Sequence, residues 1–202
     1  MARPNIKQRY SILLLVLGCI ICAMQLPPKC GKWRWDVKTI TDHAGLALLD
    51  RKPVRSSVDE LVVQKPPKVL YSSDQSDGRE TRMASENEVV EIIAWVTKVK
   101  HESDDSDLHF ILTSQGSGNT MIGEIPDPDC TTFDAFPALR NHFIKTRQDG
   151  FKVWDFWRNA KRPVKVRITG VPFWDGIHPG SKPKGSSQYC REIHPILSIE
   201  LQ

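Results

Sequence analysis

Eight side chains in the second half of this 202-residue chain could carry chemistry: His109, Glu124, Asp127, Asp129, Asp175, His178, Glu192 and His194. They are nitrogen and oxygen donors, the set that suits a divalent metal ion. A site would need three or four of them within about 2 Å of one point. His109, Glu124, Asp127, His178 and His194 are the metal-ligand candidates, and the cofactor they would take is a divalent metal. His178 follows Phe173 and Trp174 in a stretch rich in Gly and Pro, and binding residues concentrate on loops held by a rigid scaffold. It is the first residue expected to act. His194 stands between Ile193 and Pro195, where a hydrogen-bonded structural histidine is expected instead.

A second constellation is aromatic. Trp154, Phe156, Trp157 and Trp174 lie near Arg158, Lys161, Arg162, Lys165 and Arg167 in sequence. Such a set could form a stacking surface for sugars or nucleobases, each ring contributing roughly 1–3 kcal/mol. With His178 and Asp175, the residues Trp154, Trp157 and Trp174 are therefore the ligand-binding candidates. The partners implied are an oligosaccharide or a nucleic acid. The competing expectation is that these tryptophans close one end of the domain and the bases form a solvated face. A third reading uses Trp33 and Trp35, near the N-terminus, as the contact for an envelope protein.

These residues need elements to position them. Leu108–Leu112 and Met121–Ile125 are apolar runs, and Gln115-Gly116-Ser117-Gly118-Asn119 between them tolerates positive φ, so a hairpin is expected. Strict alternation puts Asp107, His109, Ile111 and Thr113 on one face and Leu108, Phe110 and Leu112 on the other. Glu88–His101 is dense in β-branched residues and reads as a preceding strand. Pro126-Asp127-Pro128-Asp129 ends the hairpin. Phe136–Gln148 places Leu139, Phe143 and Ile144 at helical spacing, and Pro163–Val171 and Ile193–Leu201 read as two closing strands. The order β-β-β-α-β-β is that of a five-stranded OB-like barrel, so the fold class expected is mainly β. Such barrels bind oligonucleotides and oligosaccharides and also carry enzymes, so the architecture alone does not give a function.

Upstream of the barrel, assigned to residues 86–202, residues 25–85 read as an irregular arm and linker. Ser57–Val62 offers one helical turn opened by a serine cap. Residues 1–24 have a basic section and then Ser11–Met24, an apolar run that is short for a membrane span and normal for a secretory signal. A cleaved signal, an uncleaved anchor and lipid attachment at Cys19 are the alternatives, and all imply export to the periplasm or beyond, with membrane contact only through this segment. Without residues 1–23, which hold three bases and no acid, the net charge falls from +4 to +1. A near-neutral domain has no global pull on nucleic acid. Export permits disulfides, and among Cys30, Cys130 and Cys190 the pairing expected is Cys30 with Cys130, tying the arm to the loop after the hairpin.

Two resemblances bear on function. The motifs Trp33-x-Trp35-x-Val37-Lys38-Thr39-x-x-Asp42, Asp107-x-His109-x-x-Leu112, Met121-Ile122-x-Glu124-Ile125-Pro126-Asp127-Pro128-x-Cys130, Gly170-Val171-x-Phe173-x-Asp175-x-x-His178 and Glu192-Ile193-His194-Pro195-Ile196-Leu197 resemble exported bacterial proteins of uncharacterised activity. That resemblance implies secretion and a shared β-rich domain. Relatives carry His-Gly-Gln where this chain has His178-Pro179-Gly180. The order acid, strand, Gly turn, strand, Asp-Pro also resembles staphylococcal nuclease, which implies Asp107, Glu124 and Asp127 as metal-holding acids for phosphodiester hydrolysis. The arginines of that mechanism are missing from the hairpin. The main expectation is an exported OB-like binding or envelope-associated module. A metal-dependent phosphodiesterase and a protein-interaction module working through the arm are the alternatives.

Overall fold

The structure, a computed structural model, describes residues 30–31, 33–67, 82–176 and 185–202. The signal or anchor segment and the loop with His178 lie outside them. The chain forms β1 (Val54–Arg55), β2 (Val90–His101), β3 (Leu108–Thr113), β4 (Thr120–Ile125), β5 (Val164–Trp174) and β6 (Arg191–Leu201). Helices α1 (Trp35–Lys38) and α2 (Val58–Val62) precede the barrel, and α3 (Pro137–Ala160) joins β4 to β5.

Closure depends on β2. Its first half pairs with β5 from Val90 to Val96, and its second half pairs with β3 from Trp95 to His101. A register shift between Val96 and Lys98 falls where the strand changes partner, and such bulges bend and twist a strand. The remaining neighbours are β3–β4, β4–β6 and β6–β5, so five strands close on themselves while β1 adds to β2 from outside. β4 and β6 run parallel and the other barrel pairs antiparallel. The order is that of the OB barrel expected from the sequence.

The alternation explains which side chains fill it. Leu108, Phe110 and Leu112 from β3, Met121 and Ile125 from β4, and Ile193 and Ile196 from β6 join Val90, Ile92, Ala94 and Val96 in one core. Full burial of each large aliphatic or aromatic side chain is worth roughly 1.5–3 kcal/mol. The helix α3 closes one end with Leu139, Phe143 and Val153. It runs twelve residues past the expected end at Gln148, straight through Gly150. That glycine is a close approach: a Cβ there would stand 2.7 Å from Ile125 and 2.9 Å from Leu108. Lys161, left-handed at φ 51°, ends the helix.

The arm is part of the fold. Ile40, Leu48, Val58 and Leu61 belong to the same core, and Ser57 caps α2 by accepting from the Glu60 N–H at 3.2 Å. Cys30 and Cys130 form the expected disulfide, with Cα atoms 5.6 Å apart. Arg34 and Glu86 make a buried ion pair at 2.5 Å, and Glu86 also accepts from the N–H groups of Trp174 and Met83. Among the described residues no helix is long and apolar enough to cross a membrane.

Candidate functional site

With Leu108, Phe110 and Leu112 turned into the barrel, Asp107 and His109 belong to its outer face. His109 is directly paired with Glu124 on β4. The parallel register sets Ile122 beside Glu192 and Gly123 beside Ile193, so the next step brings Glu124 to His194. Two-residue spacing on neighbouring strands thus gathers Asp107, His109, Glu124, Glu192 and His194. An outer face would ordinarily be wet, but all five are buried. The arm covers them, the Trp35 ring meeting His194 edge-on at 6.3 Å, and Phe173 of β5 meets the same ring at 6.0 Å.

The contacts converge on His194. Its Nε2 lies 3.2 Å from Asp107 Oδ2, and its Nδ1 lies 3.2 Å from Glu124 Oε2 and 3.5 Å from Glu192 Oε1. None of these has hydrogen-bonding geometry, so both ring nitrogens, Asp107 Oδ2 and Glu192 Oε1 are buried without a hydrogen-bond partner. Each such orphan costs about 1–3 kcal/mol if nothing satisfies it. Glu124 Oε1, by contrast, is held by His109 Nδ1 at 2.7 Å, and an ionised carboxylate can only accept, so the proton sits on Nδ1. Donor atoms of Asp107, Glu124 and His194 all lie within 4.8 Å of one another. This buried group could hold a metal ion.

The electrostatics follow from the crowding of acids. Burial, with Asp105 and Glu124 nearby and the His194 contact opposing, pushes Asp107 up to about 7. Burial and the neighbouring Asp175 push Glu192 up to about 7. Burial would raise Glu124 too, but His109 and His194 outweigh it and hold Glu124 well below the usual range. Burial would lower His194, yet Asp107, Glu124 and Glu192 hold it well above its ordinary value. Lys38 reaches in from α1, with Nζ 3.5 Å from Asp175 and 3.7 Å from Glu192. Burial opposes its charge, and the surrounding acids more than restore it.

Of the metal-ligand candidates, Glu124 and His194 meet and His109 stands beside them. Asp127 does not join. Its carboxylate faces Arg147 at 3.7 Å and accepts from the Asp129 N–H at 3.0 Å. His178 lies outside the described residues. His194, expected to be structural, stands at the centre of the group because β6 pairs in parallel with β4. Asp107 and Glu192 enter as donors. Lys38, in the irregular arm, had no periodic signal, whereas Asp107-x-His109 and Glu192-x-His194 both carry the two-residue spacing of a shared strand face.

The aromatic candidates go elsewhere. Trp174 is 1% exposed, donates from Nε1 to Ser85 at 3.0 Å, and is covered by the Arg191 guanidinium at 4.3 Å. It is a core side chain rather than a stacking platform, because β5 carries it inward. Trp154 and Trp157 are half-buried against the core from α3, and Asp175 sits at the rim of the acid group through Lys38. Trp35 is folded over His194, and Trp33 packs edge-on to Phe173 at 5.9 Å, so the pair turns inward. Compared with known proteins, the chain matches no protein-family model and no curated protein.

Proposed function

We propose that this chain is an OB-like binding module that takes a small cation in the buried acid–histidine group on the outer face of β3, β4 and β6. The observation that carries this reading is the set of orphaned donors: Asp107 Oδ2, Glu192 Oε1 and both nitrogens of His194 are buried with no hydrogen-bond partner. Once His194 gives up its extra proton, a cation satisfies one of its lone pairs and those of the acids, and offsets the clustered carboxylates as well. The strands and bounding loops of this face are also where OB barrels take their ligands. The module is exported and envelope-associated in this reading, on the basic and apolar N-terminal segment and on a disulfide that oxidising compartments preserve. Its membership of the exported bacterial group rests on the motifs alone.

A phosphodiesterase is the second reading, favoured by the meeting of Asp107 and Glu124. It needs an arginine aimed at substrate. Among the described residues the buried arginines are engaged otherwise: Arg34 with Glu86, Arg82 with Asp42, Arg147 with the Ile125 and Ser106 carbonyls, and Arg191 with Ser85. Metal-dependent turnover of a phosphodiester, lost in Glu124→Gln, would put it first.

The test is the melting temperature of the chelator-treated full chain. The additives are Mg²⁺, Ca²⁺, Mn²⁺, Co²⁺, Zn²⁺, spermidine, an oligothymidylate and a chitooligosaccharide. A cation at about 1,000 times its dissociation constant should add roughly 4 kcal/mol, a rise of several degrees. A rise with a polymer and none with any cation would overturn the reading.

A further inference from the structure

We infer that the cation is a divalent transition-metal ion ligated by Asp107, Glu124 and His194, with His109 as the positioning residue for Glu124. This rests on the reading of the group as a cation site and goes further by naming the ion class and its ligands. The first argument is donor chemistry. One imidazole with two or three carboxylates is the set that Zn²⁺, Co²⁺, Mn²⁺ and Fe²⁺ share, whereas Ca²⁺ takes 6–8 oxygens and Mg²⁺ keeps several waters.

Spacing is the second argument. Bonds of about 2.0–2.2 Å place neighbouring ligand atoms roughly 3–4 Å apart. Glu124 Oε2 stands 3.2 Å from His194 Nδ1, Asp107 Oδ2 stands 3.2 Å from Nε2, and Glu192 Oε1 follows at 3.5 Å from Nδ1. Both nitrogens of His194 are fully buried and without a hydrogen-bond partner. Nε2, beside Asp107, is available to the ion with the Glu124 oxygen in the same 4.8 Å group, and Nδ1 is available to Glu192, which orients the ring from 3.5 Å, the arrangement metal-bound histidines ordinarily have.

The third argument is charge. The carboxylates of Asp107, Glu124 and Glu192 are buried with the ammonium of Lys38, which Asp175 shares, so with both histidines neutral at least two negative charges remain for a divalent ion to offset. His109 fixes the remaining freedom. By occupying Glu124 Oε1 at 2.7 Å it leaves Oε2 turned to His194. The edges of Trp35 and Phe173 wall the group, and a dry wall strengthens every charge interaction inside.

The experiment uses the full chain, stripped with chelator, loaded with Co²⁺ or Zn²⁺ and passed through a desalting column. Metal content and the Co²⁺ visible spectrum are then read. The expected result is one equivalent retained, with d–d bands of a nitrogen and oxygen site. Affinity should fall at least 100-fold in Asp107→Asn and Glu124→Gln, and 10–100-fold in His109→Gln, which removes a supporting contact rather than a ligand. Metal retention by the unsubstituted chain decides the inference whether or not each variant folds. No retained metal and no bands from a folded chain would overturn the inference. If spermidine or Mg²⁺ still raised the melting temperature, the cation-binding reading would survive without it.

Discussion

His109 and Glu124 are directly paired across β3 and β4, and Nδ1 of the one lies 2.7 Å from Oε1 of the other. The contact is buried on a face that would be solvent-exposed in a bare barrel, and it links a hairpin to the acid group that β6 completes. The arm makes it possible. Without Trp35, Lys38 and the covering chain the same residues would be hydrated and weakly coupled.

This pair predicts a coupling energy. His109→Ala leaves Glu124 Oε1 without its donor and should destabilise the fold by about 1.5–3 kcal/mol, as expected for a hydrogen bond to a charged group. In the Glu124→Gln background the same substitution should cost at least about 1 kcal/mol less. Urea denaturation of the four proteins measures it. Equal costs in both backgrounds would mean that the carboxylate's charge adds nothing to the contact.

Much of the barrel could be read from local pattern. Val164, Val166 and Ile168 alternate with Lys165, Arg167 and Thr169 on β5, and the β3–β4 turn announces itself by Gly116 and Gly118. The helix runs beyond Gln148 through Gly150, whose lack of a side chain serves contact with Ile125 and Leu108, a long-range reason that helical spacing alone does not carry. The acid group was half legible. Its members follow a strand period, but what unites them is the parallel pairing of β4 with β6, a contact between distant segments with no local signature. Lys38 and the Arg34–Glu86 pair come from an arm whose order depends on what it covers.

A second prediction concerns Gly170, where β5 shifts register against β6. A Cβ there would stand 2.3 Å from Ile193 Cγ2 and 2.8 Å from the Pro195 carbonyl oxygen. The backbone cannot yield as a side-chain tip would. Gly170→Ala should therefore destabilise by about 1–3 kcal/mol, despite the entropy that alanine removes from the unfolded chain. Thermal unfolding followed by circular dichroism would show it, and an unchanged or raised melting temperature would refute the close contact.

The disulfide predicts a third effect. Cys30 and Cys130 are 100 residues apart in sequence, and closing so long a loop restricts the unfolded chain strongly. Replacing both with serine should lower stability by about 2–4 kcal/mol. Since the arm is also held by Ile40, Leu48 and the Arg34–Glu86 pair, the variant should still fold and keep Trp35 over His194. Near-ultraviolet circular dichroism of the double variant checks this. Loss of the native aromatic signal would show that the disulfide alone holds the arm down.

The last prediction is the pH dependence of the metal-free chain. Asp107 and Glu192 are raised to about 7 when folded, against about 4 when unfolded, so the folded state binds more protons between these values. Stability therefore falls as pH rises through that window. His194, held above its ordinary value, acts in the same direction, since its contribution is present at low pH and lost as pH climbs through the raised value. Glu124 acts oppositely, being held well below the usual range: its contribution is full above its ordinary value of about 4 and fades only as pH falls further. The chelator-treated chain should thus have a higher urea midpoint at pH 5.5 than at 8. Bound metal should reverse that slope, because ligands must lose their protons to hold it. A midpoint that rises with pH in the stripped protein would mean that the acids are ionised and satisfied without any ion.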